Sequence, residues 1–226
     1  MLYKKNEWKE IIEYGKSIFG EKKLNETQKK YLAFYLGKSF IKTKQEKEAL
    51  SYYRYLIPPI EELKNEIYLD YANLLYNAKE NILAVKYYEE YNNINKDANI
   101  QKRISELSEN IADDYFDKKK NKEAKEYYEK AIKYGNDKIN VLYNLALIYF
   151  AENNIDEALN YFLNVYNKNN NYKDVQNYIY QIYLSKNNKE EAIKYLVEYA
   201  ENKKEADLYK KTAYLYKELN KSNEAI

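Results

Sequence analysis

The chain has no cysteine and no histidine, and only 4 glycines and 2 prolines among 226 residues. Without histidine there is no imidazole base, no imidazole metal ligand and no Ser-His-Asp nucleophile. Without cysteine there is no thiol nucleophile, disulfide or zinc-thiolate site, and the redox compartment cannot be read from cysteine usage. Four scattered glycines cannot form a phosphate-cradling loop. So few glycines and prolines also remove the punctuation of a β-protein and of a flexible linker. No stretch approaches the roughly 18 apolar residues that span a bilayer. Met1 to Glu10 lacks the apolar core of a signal peptide. Net charge is scarce too: 38 Lys+Arg against 36 Asp+Glu leave +2, which is no electrostatic footprint for nucleic acid. The expectation is a cytoplasmic protein with no membrane or nucleic-acid partner, no cofactor and no metal.

What the chain does have is tyrosine, at 30 residues, and it has a register. A small residue followed twelve positions later by alanine occurs at Gly37/Ala49, Ala72/Ala84, Ala112/Ala124, Ala146/Ala158 and Ala213/Ala225, with Tyr180/Ala192 the one pair whose first member is large. The second members are 35, 40, 34, 34 and 33 residues apart. Three beyond each first member stands a large apolar or aromatic residue: Phe40, Leu75, Tyr115, Tyr149, Tyr183, Tyr216. Four beyond the alanines stand Tyr53, Tyr88, Tyr128, Phe162 and Leu196, each preceded by another tyrosine: Tyr52, Tyr87, Tyr127, Tyr161, Tyr195. Each unit reads as two amphipathic helices. Leu142, Leu145, Ala146 and Tyr149 share one helical face, and Ala158, Phe162 and Val165 share the next. Asn153-Asn154 supplies the turn between them. Small residues are needed where two helices cross closely and flanking aromatics close over the contact.

These features resemble the tetratricopeptide repeat, a 34-residue helix-turn-helix unit. The resemblance is strongest at Leu142 to Phe150 followed by Ile155 to Phe162, and it runs from Gln28 to the end. It implies an all-α fold, a right-handed α-solenoid of about five and a half repeats with an N-terminal extra helix. The boundaries expected are an N-terminal helix or cap over 1–26 and a solenoid over 27–226. Its units lie near 30–60, 65–99, 100–137, 139–171, 173–205 and, truncated, 206–226. Trp8, Ile11, Ile12, Gly15, Ile18 and Phe19 suit the leading helix. Tyr180, where the family has a small residue, suggests a wider crossing, and the 40-residue step suggests longer helices or a longer loop near Asn92–Asn99. Pro58-Pro59 must end a helix at or before Ile57. Ile226 falls about one turn into a second helix without a polar cap, so continuation of the natural chain, or self-association through that end, is expected.

The search for chemistry is negative. Doublets such as Glu61-Glu62, Asp113-Asp114 and Glu190-Glu191 point about 100° apart on a helix and read as solvated faces rather than acid/base pairs. Asp113 and Asp117 alone are too few for a hard cation. The reading is therefore a non-enzyme.

In the tetratricopeptide family the first helices of successive units line a concave groove that binds peptides or helices. The candidate groove residues implied here are Asn73, Tyr76, Asn77, Asn110, Asp113, Phe116, Tyr143, Asn144, Phe150 and Tyr178. Glu66, Asp70, Glu106, Glu109, Asp117, Leu147, Asn177 and Gln181 surround them. Lys38 and Lys42 lie at one end of the surface, and Lys210, Lys211 and Lys217 at the other. The acidic, asparagine-rich middle favours a basic or polar protein or peptide partner. Tyr143, Phe150 and Tyr178 have a competing reading as packing between units. The carboxylate clamp of chaperone-binding members is rejected. Asn73 and Asn110 match its asparagines, but Leu69, Asn140 and Asn144 stand where its cations belong. The function expected is a non-catalytic interaction scaffold. The alternatives are the repeat region of a longer enzyme or regulator with an effector domain beyond residue 226, and a sensor of a peptide or muramyl-type ligand.

Overall fold

The computed structural model describes residues 7–21 and 23–219, and among them every regular element is helical. The chain forms two compact units, Met1–Ile111 and Ala112–Ile226. The first holds α1 (Trp8–Phe19), α2 (Glu26–Lys42), α3 (Glu46–Tyr55), α4 (Lys64–Asn77), α5 (Asn81–Asn95) and most of α6 (Ala98–Asp117). The second holds the end of α6, then α7 (Asn121–Lys133), α8 (Ile139–Ala151), α9 (Ile155–Lys168), α10 (Val175–Ser185), α11 (Lys189–Lys203) and α12 (Ala206–Glu218). The helices pack in sequential order, α2 on α3, α4 on α5, α8 on α9 and α10 on α11, with each pair also meeting the helix that follows or precedes it within its unit. The fold class is all-α, of the helix-turn-helix repeat type. The partner expected for α12, around Ala225, lies outside the described residues.

The turns show why the pairs are alike. Lys44, Lys79, Lys119, Asn153 and Asn187 all have positive φ, between 55° and 64°. Each stands five residues before the alanine of its second helix. The next residue then donates its N–H to the residue three beyond the small position: Gln45 to Phe40, Glu80 to Leu75, Lys120 to Tyr115, Asn154 to Tyr149, Asn188 to Tyr183, at 2.8–2.9 Å. This is the left-handed helix stop with its 6→1 bond, satisfying a carbonyl the helix end would leave bare. Asparagine enters that region readily; lysine does so at a steric cost of about 1–2 kcal/mol, which the pairing of the helices offsets.

The crossing explains the small residue and the tyrosine doublet together. A Cβ on Gly37 would lie 2.7 Å from the Tyr53 ring, so the close approach admits glycine alone. Ala49, Ala72, Ala84, Ala112, Ala124, Ala146, Ala158 and Ala192 are all fully buried at equivalent places. The first tyrosine of the doublet stacks on the residue three beyond the small one. Tyr52 lies on Phe40 (5.5 Å, 17°), Tyr127 on Tyr115 (5.9 Å, 26°), Tyr161 on Tyr149 (5.6 Å, 9°) and Tyr195 on Tyr183 (5.8 Å, 16°). Leu75 breaks the series, and Tyr87 turns to Tyr71 at 4.6 Å instead. Each such pair contributes about 0.5–1.5 kcal/mol beyond its burial. The second tyrosine plugs the crossing: Tyr53, Tyr88 and Tyr128 are completely buried.

Several departures in the repeat have local outcomes. The extra residues of the 40-residue step go into helix length: α6 has 20 residues, against 11 to 17 in the other first helices. Asp97 caps it, accepting from the N–H groups of Asn99 (2.8 Å) and Ile100 (3.2 Å). Tyr180 is buried with its ring 6.3 Å from Tyr199. Helix α3 stops at Tyr55, ahead of Pro58-Pro59. The leading helix α1 packs on α2, where a Cβ on Gly15 would meet Leu36 at 2.7 Å. Neighbouring pairs are clasped at the surface by bonds about one repeat apart, such as Asn77 to Glu46 (3.0 Å) and Lys168 to Asp137 (2.8 Å); exposed pairs of this kind contribute little each.

Candidate binding surface

Around the plug residue of each crossing stand one residue just past the small position of its own first helix and another on the first helix that follows. This gives a series of levels whose chemistry changes along the chain.

At the first level, in the first unit, the Tyr53 hydroxyl donates to Asp70 at 2.6 Å and Lys38 pairs with the same carboxylate at 2.9 Å. Lys38 also reaches Glu66 at 2.5 Å. Burial pulls the Lys38 ammonium down, but the bonds to Glu66 and Asp70 outweigh it and its pKa is raised. At the second level the Tyr88 hydroxyl donates to Asn73 Oδ1 at 2.7 Å. The Arg103 guanidinium then donates to Asn73 (3.2 Å) and to the Tyr88 oxygen (3.0 Å). The same guanidinium covers the Tyr76 ring at 5.4 Å. At the third level, in the second unit, the Tyr128 hydroxyl donates to Asp113 at 2.5 Å and accepts from Asn144 Nδ2 at 2.9 Å. Burial, then the bond to the Asp113 carboxylate, holds the Tyr128 phenol far above the usual tyrosine range.

At the fourth level the hydroxyl is gone. Phe162 stacks on Tyr178 (4.8 Å, 12°), with Phe150 edge-on to both rings at 6.3 and 5.7 Å. Leu147, half-buried beside them, occupies the place of Asn73 and Asp113. At the fifth level Leu196 is the plug, and a recess of about 540 Å³ opens over it. Buried Tyr180, Leu196 and Leu215 form its floor, and exposed Gln181, Leu184, Lys210, Lys211, Tyr214 and Glu218 its mouth. A smaller recess of about 340 Å³ lies between Phe116, Asp117, Leu147 and Ile148.

The ten candidate residues therefore divide. In the first unit, Arg103 joins Asn73 to Tyr76, which is 36% exposed. Asn77 is exposed and donates to Glu46 at 3.0 Å, and Asn110 is exposed on α6. In the second unit, Tyr128 joins Asp113 to Asn144, and Phe162 joins Phe150 to Tyr178. Phe116 is half-buried with its ring edge-on to Tyr128 at 6.2 Å. Tyr143 is buried rather than presented: its ring sits 5.9 Å from Phe162 and 5.4 Å from Tyr172, and its hydroxyl donates to the Lys173 carbonyl at 3.2 Å. The acidic middle is also less free than its composition suggests, since Asp70 and Asp113 each accept a tyrosine hydroxyl and Glu109 is buried.

Two things escaped the sequence. Arg103 lies nine residues before Ala112, whereas Asp70, Asn144 and Tyr178 lie two before their small or equivalent residue. The longer α6 makes that displacement possible, and periodicity tied to the alanine does not show it. Leu184 and Tyr214 were missed as surface residues, although the change from tyrosine to Leu196 at a fixed register was a visible signal. Among the described residues no cluster of three or more acidic side chains could hold a metal ion. Among them, too, no helix is long and apolar enough to cross a membrane.

The sequence profile described as "Tetratricopeptide repeat" matches residues 115–177, the stretch that contains the third-to-fourth level transition. No curated protein matches the chain. Among solved structures, one similar chain is YrrB, described as a TPR protein with an unusual peptide-binding site. It is 22% identical over 74% of this chain and 84% of its own, with a TM-score of 0.43. MamA is 16% identical over 73% and 87%, with a TM-score of 0.42. The pilF protein of Pseudomonas aeruginosa is 16% identical over 90% and 95%, with a TM-score of 0.43. Each is a likeness, and none bears on what this chain binds.

Proposed function

We propose that this chain, which carries tetratricopeptide repeats, is a non-catalytic scaffold holding a peptide or helix of a partner protein against the first helices of its repeats. The observation that supports it most is the repeated level. On α4, α8 and α10 the positions two before and one beyond the small residue stand against the plugs of the crossings, α6 supplies Asp113 and, from a displaced register, Arg103, and the chemistry at these places varies along the chain. A pre-formed surface of that kind recognises without paying an ordering cost for its own backbone. The exposed set in the first unit, Asn77, Asn110 and Glu106, offers donors, acceptors and negative charge, which suits a basic or polar segment.

Capture of a random peptide library on the immobilised chain tests this reading. The comparison is an Asn77→Ala/Asn110→Ala variant; Asn73 is left intact because it holds the Tyr88 hydroxyl. Saturable capture of peptides, some of which the variant no longer holds although its melting is unchanged, is the expected result. No captured peptide at all, or capture indifferent to substitution on every first helix, overturns it.

A further inference from the structure

The recess at the fifth level has a composition that names its occupant. Tyr180, Leu196 and Leu215 on its floor are 7%, 1% and 4% exposed, so the floor is apolar packing with no polar atom offered upward by Leu196 or Leu215. At the mouth, Leu184 and Tyr214 are 38% and 64% exposed and stand uncovered. A volume of about 540 Å³ falls in the range of roughly 300–1,000 Å³ typical of ligand clefts. A polar segment laid here would lose water from its groups without gaining partners, so the recess selects a bulky apolar side chain.

The charges around the mouth select what accompanies it. Glu218, its one carboxylate among the described residues, is paired with Lys189 at 3.2 Å. Lys210 meets Asp207 at 3.3 Å, but both side chains are about four-fifths exposed, so water screens that contact and leaves the ammonium available. Lys211 makes no ion pair among the described residues. Two ammonium groups thus border an apolar recess whose one carboxylate among the described residues is already matched. A basic segment would place like charges together, and an acidic one opposite charges.

We propose that this recess seats a leucine or aromatic anchor of an acidic partner segment, with a glutamate or aspartate beside the anchor engaging Lys210 and Lys211. The proposal rests on the scaffold reading and concerns only the surface of α10–α12. There the preferred partner has the opposite sign to the one that Asn77, Asn110 and Glu106 favour. Because the lysines are exposed, their part is selectivity and encounter rate, and it weakens with salt.

The test is fluorescence anisotropy on the whole chain with three labelled peptides. One carries leucine and phenylalanine between glutamates, the second has lysine for every glutamate, and the third has serine for the apolar residues. At low salt the acidic apolar peptide is expected to bind at least about tenfold more tightly than the lysine peptide, with the gap closing as salt rises. The serine peptide is expected not to bind. Leu184→Glu should weaken the acidic peptide by about tenfold or more, and Lys211→Glu should reverse the order of the two charged peptides. Both substitutions are at exposed positions, and unchanged melting verifies the fold. Equal affinity for the two charged peptides, or full binding by L184E, overturns the proposal. So does a light-scattering mass that rises with concentration in the wild type and not in L184E, since a second copy would then be the occupant. If this peptide fails while library peptides are still captured through other first helices, the proposal falls and the scaffold reading stands. If neither is captured, both fall.

Discussion

Tyr128 and Phe162 occupy the same position, four beyond the alanine of consecutive second helices, and both are completely buried. Around Tyr128 the first helices carry Asp113 and Asn144, which bond its hydroxyl from two sides. Around Phe162 they carry Leu147 and Tyr178, and the contact is ring on ring. One oxygen atom separates the two plugs, and the residues on both neighbouring helices have changed with it. The lesson is that a level is a unit of chemistry: plug and flanking positions agree in polarity because a buried hydroxyl left unpaired costs about 1–3 kcal/mol. A polar level consumes its surface side chains in holding itself together. An apolar level has no buried hydroxyl to satisfy and is closed by packing alone.

The harshest way to break the comparison is truncation. Tyr128→Ala and Phe162→Ala should each cost about 3–5 kcal/mol of unfolding free energy, by urea denaturation, since both empty a buried crossing. If one costs almost nothing, the two plugs are not equivalent. Exchange of the oxygen sharpens it. Phe162→Tyr puts a hydroxyl beside Leu147 and Tyr178 and should destabilise by about 1–3 kcal/mol. Tyr128→Phe strands Asp113 and Asn144, but both can turn toward water, so about 1 kcal/mol is expected. Equal effects would mean that the polar partners do not match the plug.

Proton linkage separates buried phenols from exposed ones without mutation. Burial raises Tyr88 and Tyr161, and burial with the Glu129 bond raises Tyr149. A phenol whose folded pKa exceeds its unfolded value of about 10 ionises first in the unfolded chain. Its contribution is therefore complete below about pH 10 and declines as pH rises from there. With no histidine in the chain, stability should be nearly flat through neutrality and fall in base, with tyrosinate absorbance appearing together with loss of helix. Tyrosinate that forms fully while helicity persists would contradict the burial. The smallest effects belong to the lysines. Lys38→Met, at a side chain 14% exposed that holds Asp70 and Glu66, should lower the melting temperature measurably. Lys211→Met, at the mouth of the recess, should leave it unchanged.

Much of this was readable beforehand, because sequence period and packing share one cause. The Gly37/Ala49 and Ala146/Ala158 spacings located the crossings, and the doublets located the plugs. The positive-φ residue five before each alanine has a sequence signal at Asn153 and Asn187; lysine at 44, 79 and 119 gives no such signal, since its side chain has no preference for that turn. On the surface the reading was weaker. Which helical face a residue occupies follows from period, but whether Asp113 is free or bonded to Tyr128 depends on the lateral offset between helices, which period does not encode. Tyr143 was placed on the groove by register, and the Tyr172 and Phe162 rings bury it. Arg103 reached Asn73 because α6 is longer than its counterparts, a difference visible as an odd repeat step but not as a direction.

The measurement that bears most directly on the difference between levels is backbone hydrogen–deuterium exchange of the whole chain, with and without the acidic apolar peptide. Slowed exchange in α10 and α12, with α2 and α4 unchanged, is the predicted result, because the apolar recess and its lysines lie on α10 and α12. Slowing confined to the Tyr53 and Tyr88 levels, or slowing nowhere while the peptide is bound, would contradict the account.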